Sequence, residues 1–223
     1  MPRRRIEKAG RCGPPSPRCG VCLRFTAHCI CAQLPRSTAG VRVIIIQHAQ
    51  ELKNPSNTGR LVGHVLAGAA LLGYAVRGEP FDGSALADPH TEYVVLFPRP
   101  GAASFPEALP PSRPGRTRAL VLLDATWPKA QRMARRIAEL RALPFARLPE
   151  NAPSRFALRK PPRQGHLGTA EAAALALELA GERGAARTLM EALAAIAGEA
   201  LKERGKAPAA PRARQPHGGS NAP

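Results

Sequence analysis

Apolar and polar positions along the chain sketch a domain in which short strands alternate with helices. "VRVIIIQH" (Val41–His48) is β-branched and nearly continuous, as a strand buried on both faces would be. "TEYVVLF" (Thr91–Phe97) and "RALVLLDA" (Arg118–Ala125) read the same way, and a short strand is expected near "FARLP". "RLVGHVLAGAALLG" (Arg60–Gly73) reads as a helix that opens with Asn57 or Thr58 as N-cap and closes on glycine. Beyond Asp124, residues Ala130, Met133, Ile137 and Leu140 follow the three- and four-residue spacing of an amphipathic helix. Lys129, Arg132 and Arg136 form a parallel basic stripe, with Arg135 beside it. "TAEAAALALELAGE" (Thr169–Glu182) and "ARTLMEALAAIAGEALKER" (Ala186–Arg204) read as alanine-rich helices. From Gly205 onward proline, glycine and charge lack any period, which predicts a disordered basic tail. The expected class is α/β, a mostly parallel sheet flanked by helices.

Ligands of open α/β sheets gather at the carboxyl ends of the strands, where His48, Pro98 and Asp124 fall. Asp124 ends an otherwise apolar run, with Thr126 and Trp127 next to it. It is either a carboxylate favoured by a helix start or a catalytic acid flanked by a hydroxyl and an aromatic face. "SNTGRL" (Ser56–Leu61) is either an ordinary N-cap or an anion site to which Arg60 adds charge. "SRFALRKPPRQGHLGTAEA" (Ser154–Ala172) carries Arg155, Arg159, Lys160 and Arg163. It is either a solvated basic loop or one that holds a cofactor with its backbone and RNA phosphates with its side chains.

Charge changes the picture of the partner. Lys and Arg total 33 against 16 acids, a formal net charge of +17. Such a field attracts polyanions, nucleic acid above all. A GC-rich coding bias would account for the surplus of arginine, though not for the shortage of acids. The longest apolar runs are of strand length or are broken by glycine and charge, so no membrane span is expected. The basic N-terminus leads into cysteine and proline rather than an apolar leader, which suggests a cytoplasmic protein. No apolar face demands a second copy of the chain.

All five cysteines lie between Cys12 and Cys31. Cys19, Cys22, Cys29 and Cys31 supply the four thiolates of one tetrahedral zinc in a segment with too few large apolar side chains to fold by burial alone. The alternative is a loop of reduced thiols without metal. A four-sulfur site leaves no open position, so the metal would be structural. The chain thus divides into a zinc knuckle (12–36), a catalytic domain (37–204) and the tail (205–223).

Together these blocks resemble the DTW-domain family, tRNA-uridine aminocarboxypropyltransferases related to the SPOUT class of RNA-modifying enzymes. The cysteine cluster, "QHAQE" (Gln47–Glu51), "NTGRL" (Asn57–Leu61), "DATW" (Asp124–Trp127), "LRKPP" (Leu158–Pro162) and "TAEA" (Thr169–Ala172) carry the resemblance, from about Cys19 to Leu201. Ala49 stands where the family often has proline, and Gly168 where a serine usually precedes the threonine. The resemblance implies a SPOUT-like fold and two substrates, S-adenosylmethionine and a uridine in tRNA. The aminocarboxypropyl group would pass to the uracil imide nitrogen and methylthioadenosine would leave. On that basis Asp124, helped by Thr126, takes or orients the imide proton. Leu96, Phe97, Pro98, Leu122, Trp127, Leu167 and Thr169 are candidates for the adenosine pocket, with Trp127 alternatively stacking on the target base. Arg60, Lys129, Arg132, Arg136, Arg159 and Lys160 would grip phosphates. Two other readings stay open: the same chemistry on ribosomal RNA, and a non-catalytic zinc-containing RNA-binding module.

Overall fold

The protein is described by a computed structural model covering residues 17–150 and 167–203. Cys12, Arg155, Arg159, Lys160, Arg163, the "LRKPP" block and the tail from Gly205 lie outside the described residues. Six strands form one sheet: β1 (Val41–His48), β2 (Ala70–Tyr74), β3 (Thr91–Leu96), β4 (Ala103–Ser104), β5 (Thr117–Asp124) and β6 (Phe145–Arg147). Their spatial order is β2-β1-β5-β3-β6-β4, and every neighbouring pair is parallel.

Because β1, β3 and β5 are covered on both sides, their alternate residues enter two cores. Val41, Val43 and Ile45 of β1, with Leu120 and Leu122 of β5, face a layer made by α1 (Gly59–Val65), α3 (Thr169–Leu179) and α4 (Arg183–Glu203). Ile44, Ile46, Ala119 and Val121 face the opposite way, toward α2 (Trp127–Arg136) through Ala130 and Met133. The predicted stripe of α2 is buried along its whole length, Ile137 and Leu140 included, although the helix ends at Arg136, Ile137 joins it to a 3-10 turn, and Leu140 lies in that turn.

The helix expected over Arg60–Gly73 is shorter. Its first half is α1, but the chain leaves the helix at Leu66, turns through Gly68 at φ +79°, and continues as β2 beside β1. Parallel pairing to β1 overrides the helical propensity of the alanines and leucines. Gly63 allows the close approach: a Cβ there would overlap Leu71 of β2. The N-terminal knuckle is tied to the helical layer. Arg24 pairs with Glu203 of α4 at 2.6 Å, with its own side chain buried, and His64 of α1 meets the Cys31 carbonyl at 2.9 Å. No described helix is long and apolar enough to cross a membrane.

Leu177 lies fully buried between α3 and the sheet, whereas Leu71 is 40% exposed. Leu177→Ala should cost about 3 kcal/mol in a urea melt, and Leu71→Ala under about 1 kcal/mol. Equal effects would contradict this layering.

Candidate functional site

The strand register places Gln47 of β1 directly beside Asp124 of β5. Gln47 continues the phase of Val41, Val43 and Ile45, and Asp124 that of Leu120 and Leu122, so both side chains enter the layer of α1 and α3 at the sheet's carboxyl edge. Asp124 is 4% exposed. A carboxylate that deeply buried needs donors, and it receives three. Gln47 Nε2 donates to Oδ2 at 2.6 Å and Asn57 Nδ2 to the same oxygen at 2.7 Å. Thr169 Oγ1, from the first turn of α3, donates to Oδ1 at 2.6 Å.

Each donor is held in turn. Asn57 Oδ1 accepts from Gln47 Nε2 at 2.8 Å and from the Gly59 amide at 3.0 Å, and Asn57 Nδ2 also reaches Glu51 Oε2 at 3.3 Å. Thr58 Oγ1 accepts from the Ala170 amide at 3.1 Å, fastening the loop before α1 to the start of α3. Glu171 accepts from the Gly168 amide at 2.9 Å across that same helix start. Gly59 has no freedom to be larger, because a Cβ would overlap Asp124 Oδ2. Burial, the dominant influence, pushes the Asp124 carboxyl above the ordinary carboxylate range, against the opposing pull of its three donors.

Beside this network opens a cleft of ≈ 560 Å³ between the carboxyl ends of β3 and β5 and the first turns of α2 and α3. Its size falls among small-molecule sites, roughly 300–1,000 Å³. All seven residues expected to bind cofactor line it: Leu96, Phe97, Pro98, Leu122, Trp127, Leu167 and Thr169. Trp127 is 39% exposed and tilts against Phe97 with ring centroids 5.5 Å apart. Thr169 is the link between cleft and network, since it lines the one and donates to Asp124 in the other. Asp124 itself does not line the cleft. Thr126 is exposed and caps α2 with its backbone carbonyl, which accepts from the amides of Lys129 and Ala130. The hydroxyl next to the carboxylate is therefore that of Thr169, not Thr126.

The basic residues divide. Arg132, Arg135 and Arg136 are exposed on α2, and Lys129 contacts Gln50. Arg60 is half-buried and braces the loop after β1, donating to the carbonyls of Leu52 and Glu51. His48, at the end of β1, accepts the Gln50 amide on Nδ1 at 3.2 Å. Burial first, then Lys129, pulls its pKa below the usual histidine value, which keeps the ring neutral near pH 7. In the knuckle, the sulfurs of Cys19, Cys22, Cys29 and Cys31 lie within 4.8 Å of one another, close enough to hold one metal ion. The backbone amide of Cys22 pulls the Cys19 thiol down to about 6, while burial raises Cys31.

Gln47, Glu51, Asn57, Thr58 and Glu171 were not among the expected functional residues. Gln47 carried a signal: a polar side chain in phase with the inward positions of a buried strand. Asn57 and Thr58 were legible as helix caps or part of an anion site, but not as partners of Asp124 and α3, which lie 67 and 112 positions away.

Among known proteins, a family model described as the DTW domain matches residues 16–200. No solved structure matches the chain.

The raised Asp124 pKa has a defined sign. The carboxyl favours the fold most below its unfolded value of about 3.9 and loses that advantage as pH rises through the folded value. The stability of the parent relative to Asp124→Asn should therefore fall as pH climbs from about 4 toward neutrality. Urea melts over that range check it; a constant or growing difference would contradict the shift.

Proposed function

Since the chain belongs to the DTW-domain family, a family associated with tRNA modification, we propose that it moves the 3-amino-3-carboxypropyl group of S-adenosylmethionine onto the imide nitrogen of a uridine in tRNA. Methylthioadenosine leaves. The observation that carries this reading is the cleft at the sheet's carboxyl edge, which joins an apolar, aromatic lining to a threonine hydroxyl backed by a buried carboxylate. Adenosine fits the apolar wall of Leu96, Phe97, Pro98 and Leu122. Trp127 covers adenosine or stacks on the uracil. The exposed arginines of α2 and the net charge of +17 suit a phosphate backbone that passes the mouth of the cleft. Arg60, Arg159 and Lys160 extend the proposed RNA contact, as do the basic residues beyond Gly205.

Asp124 acts through Thr169 in this reading. The imide N–H gives its proton to Thr169 Oγ1, whose own proton passes to Asp124 Oδ1. The nitrogen then forms a bond to the substrate carbon attached to sulfur, that C–S bond breaks, and its electron pair stays on sulfur. Sulfonium and deprotonated imide thus become a neutral thioether and a substituted uracil. Burial suits Asp124 to the task, because a desolvated carboxylate holds a proton better than a surface one. The sulfonium is already activated, so alignment supplies much of the remaining rate. A SPOUT-like ancestry and a cytoplasmic site of action belong to the same proposal.

The metal in the knuckle would be zinc. A tetrahedron with Zn–S bonds of about 2.3 Å has S···S edges of about 3.8 Å, and Cys19 and Cys31 stand 3.9 Å apart. Bound there, zinc would hold the knuckle against α1 and α4 and leave no position for a substrate. Metal analysis of protein purified without chelators should give about one zinc per chain, with chelation lowering the melting temperature. A metal-free protein with unchanged melting would retire the site.

The test of the reaction is mass analysis of nucleosides after incubating the protein with S-adenosylmethionine and tRNA or ribosomal RNA. Aminocarboxypropyluridine should appear in tRNA, and Asp124→Asn or Thr169→Val should lower kcat by about 100-fold or more. Product in ribosomal RNA alone would move the substrate, and no product in either RNA would leave an RNA-binding module.

A further inference from the structure

The cleft's lining is apolar save for a few groups, and its charged residues among those described are Arg147 and Glu150. They stand three positions apart where the chain leaves β6, and both line the cleft. Arg147 is anchored: its Nη1 donates to the Ala102 carbonyl at 3.1 Å, which fixes one edge of the guanidinium and leaves its other N–H groups to act. No ion pair joins it to a described acid.

One cation and one anion on a cleft whose other side chains are mostly apolar match a particular chemistry. A free α-amino acid group carries a carboxylate and an ammonium on a single carbon, and both need a partner of opposite charge when they leave water. We propose that Arg147 and Glu150 form the receptor for the amino-acid end of the substrate, with Arg147 on the α-carboxylate and Glu150 on the α-ammonium. The inference rests on the reading that S-adenosylmethionine is the donor.

It assigns these residues a role in choosing which group is transferred. A sulfonium has three carbon neighbours. Adenosine held by the apolar wall and the amino acid held at the β6 end fix two of them, so the orientation of sulfur follows. The third neighbour, the methyl group, has no charge through which the cleft could grip it. Arg147 and Glu150 are thus positioning residues for the aminocarboxypropyl carbon, and neither touches the reacting atoms. Both are exposed, so their replacement leaves the core intact.

The two ends of the substrate can be tested apart, because methylthioadenosine keeps the adenosine and sulfur but lacks the amino acid. Calorimetric titration of the full chain, of Arg147→Gln and of Glu150→Gln should give matched affinities for methylthioadenosine. The same variants should bind S-adenosylmethionine and S-adenosylhomocysteine about tenfold more weakly than the parent. Retained methylthioadenosine binding also reports that the cleft has folded. Variants that bind S-adenosylmethionine as the parent does, or that lose all three ligands equally, would overturn the assignment. A parent chain that binds none of the three would instead sink the reading of the donor on which the assignment rests.

Discussion

A buried carboxylate is the constraint that organises this protein. Asp124 ends the central strand pair inside the helical layer, where an anion without donors would cost several kcal/mol. Its three donors come from β1, from the loop before α1 and from the first turn of α3, segments 77, 67 and 45 positions away. Satisfying one charge therefore closes the sheet edge and sets the two helix starts. The smallness of Gly59 follows from the same requirement, since any side chain there would displace the carboxylate.

That arrangement also relates stability to chemistry. The network hides Asp124 from the cleft yet exposes Thr169 to it, so a single hydroxyl carries the influence of the carboxylate outward. Preorganisation of this kind holds the Thr169 hydroxyl rigid beside a cleft lined mostly by apolar side chains. The knuckle contributes from behind: Cys22 and Cys31 pack near Asn57 and Thr58, and Arg24 reaches across to α4. A metal held by its four thiols would therefore steady the loop that steadies Asp124.

Much of the fold was legible in the sequence because its strands are buried on both faces. Val41–His48 and the runs ending at Leu96 and Asp124 emerged within a residue or so of their true limits, and α2 showed its stripe. The edge strand β2 did not, because alanine, leucine and glycine suit a helix as well as a strand and only pairing to β1 decides. The two-residue β4 was too short to leave a pattern. At the site, Asp124 was visible as an acid ending an apolar run and Pro98 as a strand end, while the other cleft residues followed from the family resemblance. Their connections were not visible, because hydrogen bonds between distant segments leave no local spacing. Thr126, adjacent in sequence, was therefore favoured over Thr169, adjacent in space.

A crystal structure of the chain bound to S-adenosylmethionine tests the central claim most directly. The cofactor should lie between Trp127 and the Leu167–Thr169 segment, its transferable carbon toward the Thr169 hydroxyl, with Asp124 still holding that hydroxyl from behind. A cofactor seated elsewhere, or an Asp124 turned away from Thr169 in the complex, would contradict it.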